Sequence, residues 1–396
     1  SWTISTSRRG RCGGTSRFAA IPLAPCCAVS ARTDMARVPL ALAHDYLTQR
    51  GGAERVVLAW HQKWNDAPIH TTLFDPNGTY PEFRTANVAT SLLNRSPYLR
   101  HHHRAALPFL APVVSATTIH ADVTLASSSG WAHGYTCDGA LAVYCHAPAR
   151  WLYQTDRYFG RGDTPAMAAL ARRLLFTRLR EWDLRASRRA DLYMANSTFT
   201  RDLIREVYDR DAVIVPPPVQ IPSSRPDVAV TNDVLVVARA LPYKNLDVVL
   251  QVAELTPDVT YRIVGDGPLR ESLMRISPRN VTWCGALDDV ALANEYAGSR
   301  AHLALSHEDF GITPLEAASF GIPTVARRSG GYLDTIVATS GVLVDEDAFS
   351  PAVVASTLRA VLQQSWDRDA MYQHASTFSV DAHISKIEAA LSSLTA

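Results

Sequence analysis

The chain is 396 residues long, 47% hydrophobic and 19% charged, with a net charge of +1, a make-up that fits a soluble globular protein with room for two domains. No apolar run approaches the ~18 residues of a membrane span, so membrane contact has to be peripheral, and the near-zero net charge argues neither for nor against nucleic acid. The charge is nonetheless unevenly spread: residues 36–219 hold 21 Lys and Arg against 16 Asp and Glu, net +5, and residues 220–396 hold 13 against 21, net −8. Six cysteines, with no CxxC pair, predict reduced thiols in a cytosolic setting and no structural zinc.

Residues 1–34 carry five arginines, one acid and no sustained periodicity. They read as a poorly ordered extension, with a signal or transit segment as the alternative. The first core element is an apolar strand over 38–44. Gly51 and Gly52 then turn the chain into a helix over 53–64, a Rossmann-like opening in which a backbone without side chains lets a phosphate or an acceptor come close; a plain turn is the alternative. Residues 94–114 mix Tyr98, Leu99, Phe109 and Leu110 with Arg95, Arg100, Arg104 and three adjacent histidines. Consecutive histidines point in different directions and do not close a tetrahedral metal site. The segment suits an anionic membrane or a lipid pyrophosphate, or else it is an ordinary surface helix. Strands over 122–128 and 140–144 follow. His146 stands just past the second, with Arg150 beyond it, where crevice residues of an α/β sheet belong. A helix over 164–190 bears seven arginines between 172 and 189. A strand at 191–197, a helix at 198–208 and a strand at 213–218 close the half, and the prolines of 216–230 mark a hinge. The halves are therefore drawn at 36–219 and 220–380, with a terminal helix in 381–396.

The second half restarts the alternation with a strand over 233–238. Arg239 at its end and Lys244 at the entrance of the next helix form a candidate diphosphate clamp, one a planar fork and the other a point charge. A turn at Gly265 and Gly267, strands at 262–264, 281–285 and 341–344, and helices at 288–298, 350–364 and 382–393 complete the pattern. The richest stretch is 301–334: a strand over 301–305, a polar glycine-broken loop, a helix from Pro314 that stops at Gly321, and a strand over 323–326. Glu308 and Glu316 sit on either side of that strand-to-helix junction. A carboxylate accepts two hydroxyls at once, so the pair suits a ligand rich in diols, such as a sugar or a ribose; two solvated acids are the alternative.

The string E-D-F-G-I-T-P-L-E-A-A-S-F-G-I-P resembles the E-x7-E signature of retaining glycosyltransferase family 4. The resemblance extends over residues 38–394 and implies a GT-B fold: α/β, two Rossmann-like domains facing a central cleft, with the last helix crossing back to the first domain. It assigns Glu308 to the transferred sugar, backbone amides at Phe310 and Gly311 to its hydroxyls, and Glu316 to the nucleotide ribose. H-D-Y-L-T-Q-R-G-G-A-E-R-V looks like the family's first glycine-rich loop, so Gly51 and Gly52 face the cleft. V-V-A-R-A-L-P-Y-K-N resembles its donor-phosphate motif, although Ala238 and Asn245 replace the usual glycines. Gly265 and Gly267 and the 283–286 segment are expected near the nucleotide. S-S-S-G-W-A-H-G and C-H-A-P-A-R-W resemble the branch containing mannosyltransferases of O-antigen and exopolysaccharide assembly, which makes His146 catalytic and places His133 and Arg150 at the acceptor or cleft. The activity implied is transfer of a hexose, from GDP-mannose by branch resemblance, to a glycan or polyprenyl-linked acceptor, without metal or cofactor, in the cytoplasm or at the inner face of its membrane. The rivals are a nucleotide-sugar epimerase on the same scaffold and a non-catalytic nucleotide-sugar binding subunit.

Overall fold

The computed structural model describes residues 38–102, 106–153 and 166–394. The extension 1–34 and the pair His103 and Arg104 lie outside the described residues. Seven strands form the first sheet: β1 Val38–His44, β2 Ile69–Thr71, β3 Val88–Thr90, β4 Ala121–Ser128, β5 Ala140–Cys145, β6 Leu192–Ala195 and β7 Val213–Ile214, in the order β3-β2-β1-β4-β5-β6-β7. Every pairing is parallel. Parallel sheets are covered on both faces, which is why the centre of β1, Ala41 to Ala43, is apolar on successive residues and fully buried. The second sheet, also parallel, holds β8 Asn232–Val237, β9 Tyr261–Val264, β10 Val281–Gly285, β11 Ser299–Ala304, β12 Thr324–Arg327 and β13 Gly341–Val344, in the order β10-β9-β8-β11-β12-β13.

Both sheets reverse direction beside their first strand, between β1 and β4 and between β8 and β11. At such a switch point the loops leaving neighbouring strands diverge and open a crevice. The two crevices carry the residues of interest.

Three helices matter most. Helix α1, Gly52–Lys63, starts from Gly51 and buries Val56, Val57 and Trp60. Helix α2, Thr313–Ser319, has a proline in its first turn and ends before Gly321, whose φ of 67° is left-handed. Helix α3, Val380–Ser392, inserts Ile384, Ile387 and Ala390 into the core of the first half, beside Leu42, Val56 and Trp60. His383 fixes that docking, since Trp60 Nε1 donates to its Nε2 at 2.9 Å and its Nδ1 lies 2.7 Å from the Pro216 carbonyl. The hinge strand is shorter than expected, stopping at Ile214, because the prolines at 216–218 have no N–H to continue a ladder. Residues 94–114 do not form one helix. A 3-10 turn at Leu92–Arg95 and a short helix at Pro97–His101 precede a helix at Leu107–Ser115, since prolines at 97 and 108 each favour a fresh start.

Candidate active site

A cavity of about 450 Å³ opens where the C-terminal ends of the two sheets face each other. From the first half it is lined by Asp45, Gly52, Ser129, His146 and Arg150; from the second by Lys244, Glu308, Phe310, Gly311 and Tyr332.

Glu308 follows β11, and its Oε1 accepts from Ser306 Oγ at 2.7 Å and pairs with Lys244 Nζ. Lys244 ends a 3-10 turn after β8 and is held there by Asn245, which takes a φ of 52° and donates from Nδ2 to the Leu305 carbonyl at 2.9 Å. Asparagine tolerates this left-handed backbone, so the residue standing where the family has glycine keeps the turn. Gly311, at φ 86°, could not carry a Cβ, which would meet the Tyr332 ring at 2.4 Å. Phe310 is buried against Leu315, Val219 and Phe378. The loop therefore presents its backbone to the cavity on a fixed base.

Glu316 faces elsewhere. It lines a second cavity of about 500 Å³ together with Arg55, Tyr296 and Asp289. Its Oε1 lies 3.1 Å from Arg55 Nη1 of α1, and Tyr296 donates to its Oε2 at 2.9 Å. Burial opposes the charge on Arg55, but Glu316 and Tyr80 outweigh it and raise the pKa. Further bonds link the halves: Arg150 pairs with Asp309, Ser197 Oγ donates to the Asp309 carbonyl at 2.5 Å, and Thr198 N–H donates to Asp334 at 2.6 Å.

His146 lines the first cavity, and its Nε2 lies 2.8 Å from Ser127 Oγ. Burial, followed by the charges of His44 and Arg150, lowers its pKa to about 3, so the imidazole is neutral. Asp45 organises the loop beneath it, its two oxygens accepting the Ser129, Trp131 and Ala132 N–H groups at 2.6, 3.0 and 2.7 Å.

Five expected residues stand apart from this constellation. His133 is 2% exposed and outside the cavity lining: its Nδ1 lies 3.0 Å from Ser128 Oγ and its Nε2 3.0 Å from Asp183. The loop tied down by Asp45 turns this ring inward, making it a structural imidazole. Arg239 is exposed and does not line the cavity. Gly265 and Gly267 act one step back. At φ 135° and 155° their bare Cα atoms lie against the Ala238 and Ala240 carbonyls, where a Cβ would come within 2.1 and 2.7 Å. They support the Arg239 to Lys244 loop instead of lining the cavity. Of the glycine pair, Gly52 lines the cavity and Gly51 packs on Glu54. Asp45, Arg55, Asp309 and Tyr296 were missed; Asp45 and Arg55 lie inside the quoted glycine-rich motif, and Asp309 directly follows Glu308. Among the described residues no group of three or more His, Cys, Asp or Glu could hold a metal ion.

Residues 225–378 match the family described as Glycosyl transferases group 1. A glycogen synthase of Thermus thermophilus is 32% identical over 124 residues, 29% of this chain and 28% of that protein. A GDP-mannose-dependent alpha-mannosyltransferase of Mycolicibacterium smegmatis is 32% identical over 130 residues, 32% of this chain and 34% of that protein. The chain thus spans about a third of the length of these curated relatives. The crystal structure of Anabaena Alr3699/HepE in complex with UDP and glucose superposes with a TM-score of 0.66 at 18% identity, covering 90% of this chain and all of that one. Two parallel Rossmann-like sheets meeting at a cleft, with a terminal helix returning to the first, are the GT-B fold, and residues 225–378 of this chain are similar to the group 1 glycosyl transferases.

Proposed function

We propose that this protein is a retaining glycosyltransferase that moves a hexose, mannose from GDP-mannose in the first instance, to a hydroxyl of a glycan or lipid-linked acceptor. The observation that carries the reading is the Lys244, Glu308 and Ser306 cluster beside Phe310 and Gly311, in a cavity that both halves build. A carboxylate there accepts sugar hydroxyls, and a lysine beside it neutralises a departing phosphate. In the reaction the bond between the anomeric carbon and the diphosphate oxygen breaks. The acceptor oxygen bonds to that carbon on the same face, and its proton passes to the leaving phosphate. Arg239 supplies a second cation if its loop swings inward with the donor. Glu316 takes the ribose, which puts the nucleoside toward the second cavity. The group 1 match and the GDP-mannose-dependent relative favour this assignment.

The acceptor half also offers a membrane-facing surface, which would bring the cleft to a lipid-linked acceptor on the cytoplasmic leaflet. Leu92, Tyr98 and Phe109 are 74, 64 and 55% exposed, with Arg95 exposed among them. No described helix is long and apolar enough to cross a membrane.

The test is turnover of a panel of nucleotide sugars with a lipid extract, read by mass spectrometry. GDP release matched by a product heavier by one hexose is expected. Donor consumed into an isomeric sugar without acceptor would identify an epimerase. Binding of every donor without turnover would identify a binding subunit.

A further inference from the structure

Behind the cavity, buried polar groups run from the base of α1 to His146. Glu54, in the first turn of α1, is 1% exposed, and its Oε1 lies 3.9 Å from His44 Nε2. His44 ends β1 and is 2% exposed. Its Nδ1 lies 3.2 Å from the Ser127 carbonyl and 3.0 Å from Ser127 Oγ. Ser127 Oγ in turn lies 2.8 Å from His146 Nε2. The sheet itself assembles this chain: His44 is in register with Ser127 across β1 and β4, and Ser127 with Tyr144 across β4 and β5, two residues before His146. The chain sits at the switch point of the first sheet.

The partners fix the direction of the protons. The Ser127 carbonyl only accepts, so His44 Nδ1 carries a hydrogen. Its other nitrogen lies 3.9 Å from the Glu54 carboxyl group, which favours a hydrogen there too. Two imidazoles bridged by one hydroxyl do not both hold a charge cheaply, and the one beside Glu54 is the better placed. Burial lowers the pKa of His44, but Glu54, Asp45 and the Ser127 carbonyl outweigh it and leave the pKa raised, whereas His146 is neutral. With His44 donating, Ser127 Oγ accepts from it and turns its own hydrogen toward His146 Nε2. A neutral imidazole whose Nε2 accepts has its hydrogen on Nδ1.

We propose that Glu54, His44 and Ser127 are positioning residues that hold His146 in the Nδ1–H tautomer, so that it faces the cavity as a hydrogen-bond donor to a substrate oxygen and does not act as a general base. The proposal rests on the glycosyltransferase reading for its chemistry: the acceptor proton leaves on the diphosphate oxygen, and His146 gives a neutral N–H to an oxygen of the transferred sugar. The tautomer itself is independent of turnover.

Long-range proton–nitrogen NMR of the full chain labelled in histidine, at pH 7 without substrate, reads both rings. The expected pattern is His146 with hydrogen on Nδ1 only and His44 with hydrogen on both nitrogens. Ser127→Ala removes the bridge and should leave His146 as a mixture of tautomers, while Ser127→Thr, which keeps the hydroxyl, should retain the single form. A wild-type His146 with its hydrogen on Nε2, or an Nδ1–H pattern unchanged in Ser127→Ala, overturns the proposal. If the alanine variant fails to fold, the wild-type spectrum alone decides. Failure in the donor panel with the expected spectrum would sink the glycosyltransferase reading and leave the buried chain intact; the reverse result would do the opposite.

Discussion

Glu308 and Glu316 answer to different cations: the first to Lys244 of its own half, the second to Arg55 across the cleft. Their roles should separate accordingly. Glu316→Gln is expected to weaken the donor and the free nucleoside diphosphate alike, whereas Glu308→Gln should spare the nucleoside diphosphate and impair transfer by at least tenfold, ~1.4 kcal/mol of transition-state stabilisation. Calorimetry with both ligands, set beside turnover, checks this, and equal effects on both ligands would refute the division of roles. The carboxylates were legible because a motif fixed their spacing at a strand-to-helix junction. His133 was not, because a motif gives residue order and not the face that each residue presents. Asp45 holds three N–H groups of the following loop, and that decided which way His133 turned.

At the scale of elements, the long strands and amphipathic helices could be read from apolar runs, and so could the returning terminal helix from the family resemblance. Strands β2 and β3 could not, being three residues each and too short for any period to show. The docking of α3 adds a pH dependence. His383 is buried, and this desolvation, countered by the Pro216 carbonyl and reinforced by Lys386, lowers its pKa to about 4. Burial alone lowers that of His302 to about 3. With His146 they stay neutral when folded, whereas the unfolded chain takes up their protons near pH 6.5. Each therefore costs ~1.4 kcal/mol per pH unit as the pH falls below the unfolded value, until the folded pKa is reached. His44, whose pKa is raised, works the other way, its stabilisation fading as pH rises through its folded value. The unfolding temperature should thus fall between pH 7 and pH 4.5, and it should fall less steeply in His383→Gln, where one of the protons taken up is gone. Parallel slopes in the two proteins, measured by thermal denaturation, would remove His383 from this account.

For the whole molecule, the uneven charge is a question of orientation. An anionic bilayer attracts the +5 half and repels the −8 half. Each Lys or Arg close to such a surface contributes ~1 kcal/mol, and on the proposed docking exposed Leu92, Tyr98 and Phe109 would add an apolar anchor. Co-sedimentation should favour anionic over neutral liposomes, weaken as salt shortens the Debye length to ~3 Å at 1 M, and drop in Arg95→Glu with Phe109→Asp. Binding indifferent to lipid charge, salt and both substitutions would mean that the acceptor is met away from the bilayer.

The Arg55 and Glu316 pair has a further consequence for how affinity is to be understood. Both oxygens of Glu316 are engaged, one by Arg55 and one by Tyr296. If Glu316 takes a ribose, the diol competes with Arg55 for the oxygen that the guanidinium holds. Measured affinity is then the balance of an exchange, and the side being displaced is ionic while the newcomer is neutral. For guanosine, which brings no charge, added salt should weaken only the ion pair, so binding should tighten as salt rises from 0.05 to 0.5 M. The gain should be a few-fold, in keeping with the ~0.2–1 kcal/mol of a partly exposed ion pair. In Arg55→Ala guanosine should bind more tightly at low salt, and its salt dependence should vanish, as titration calorimetry can read directly. The same arginine that holds the two halves together would then be the residue whose removal lets the ligand in.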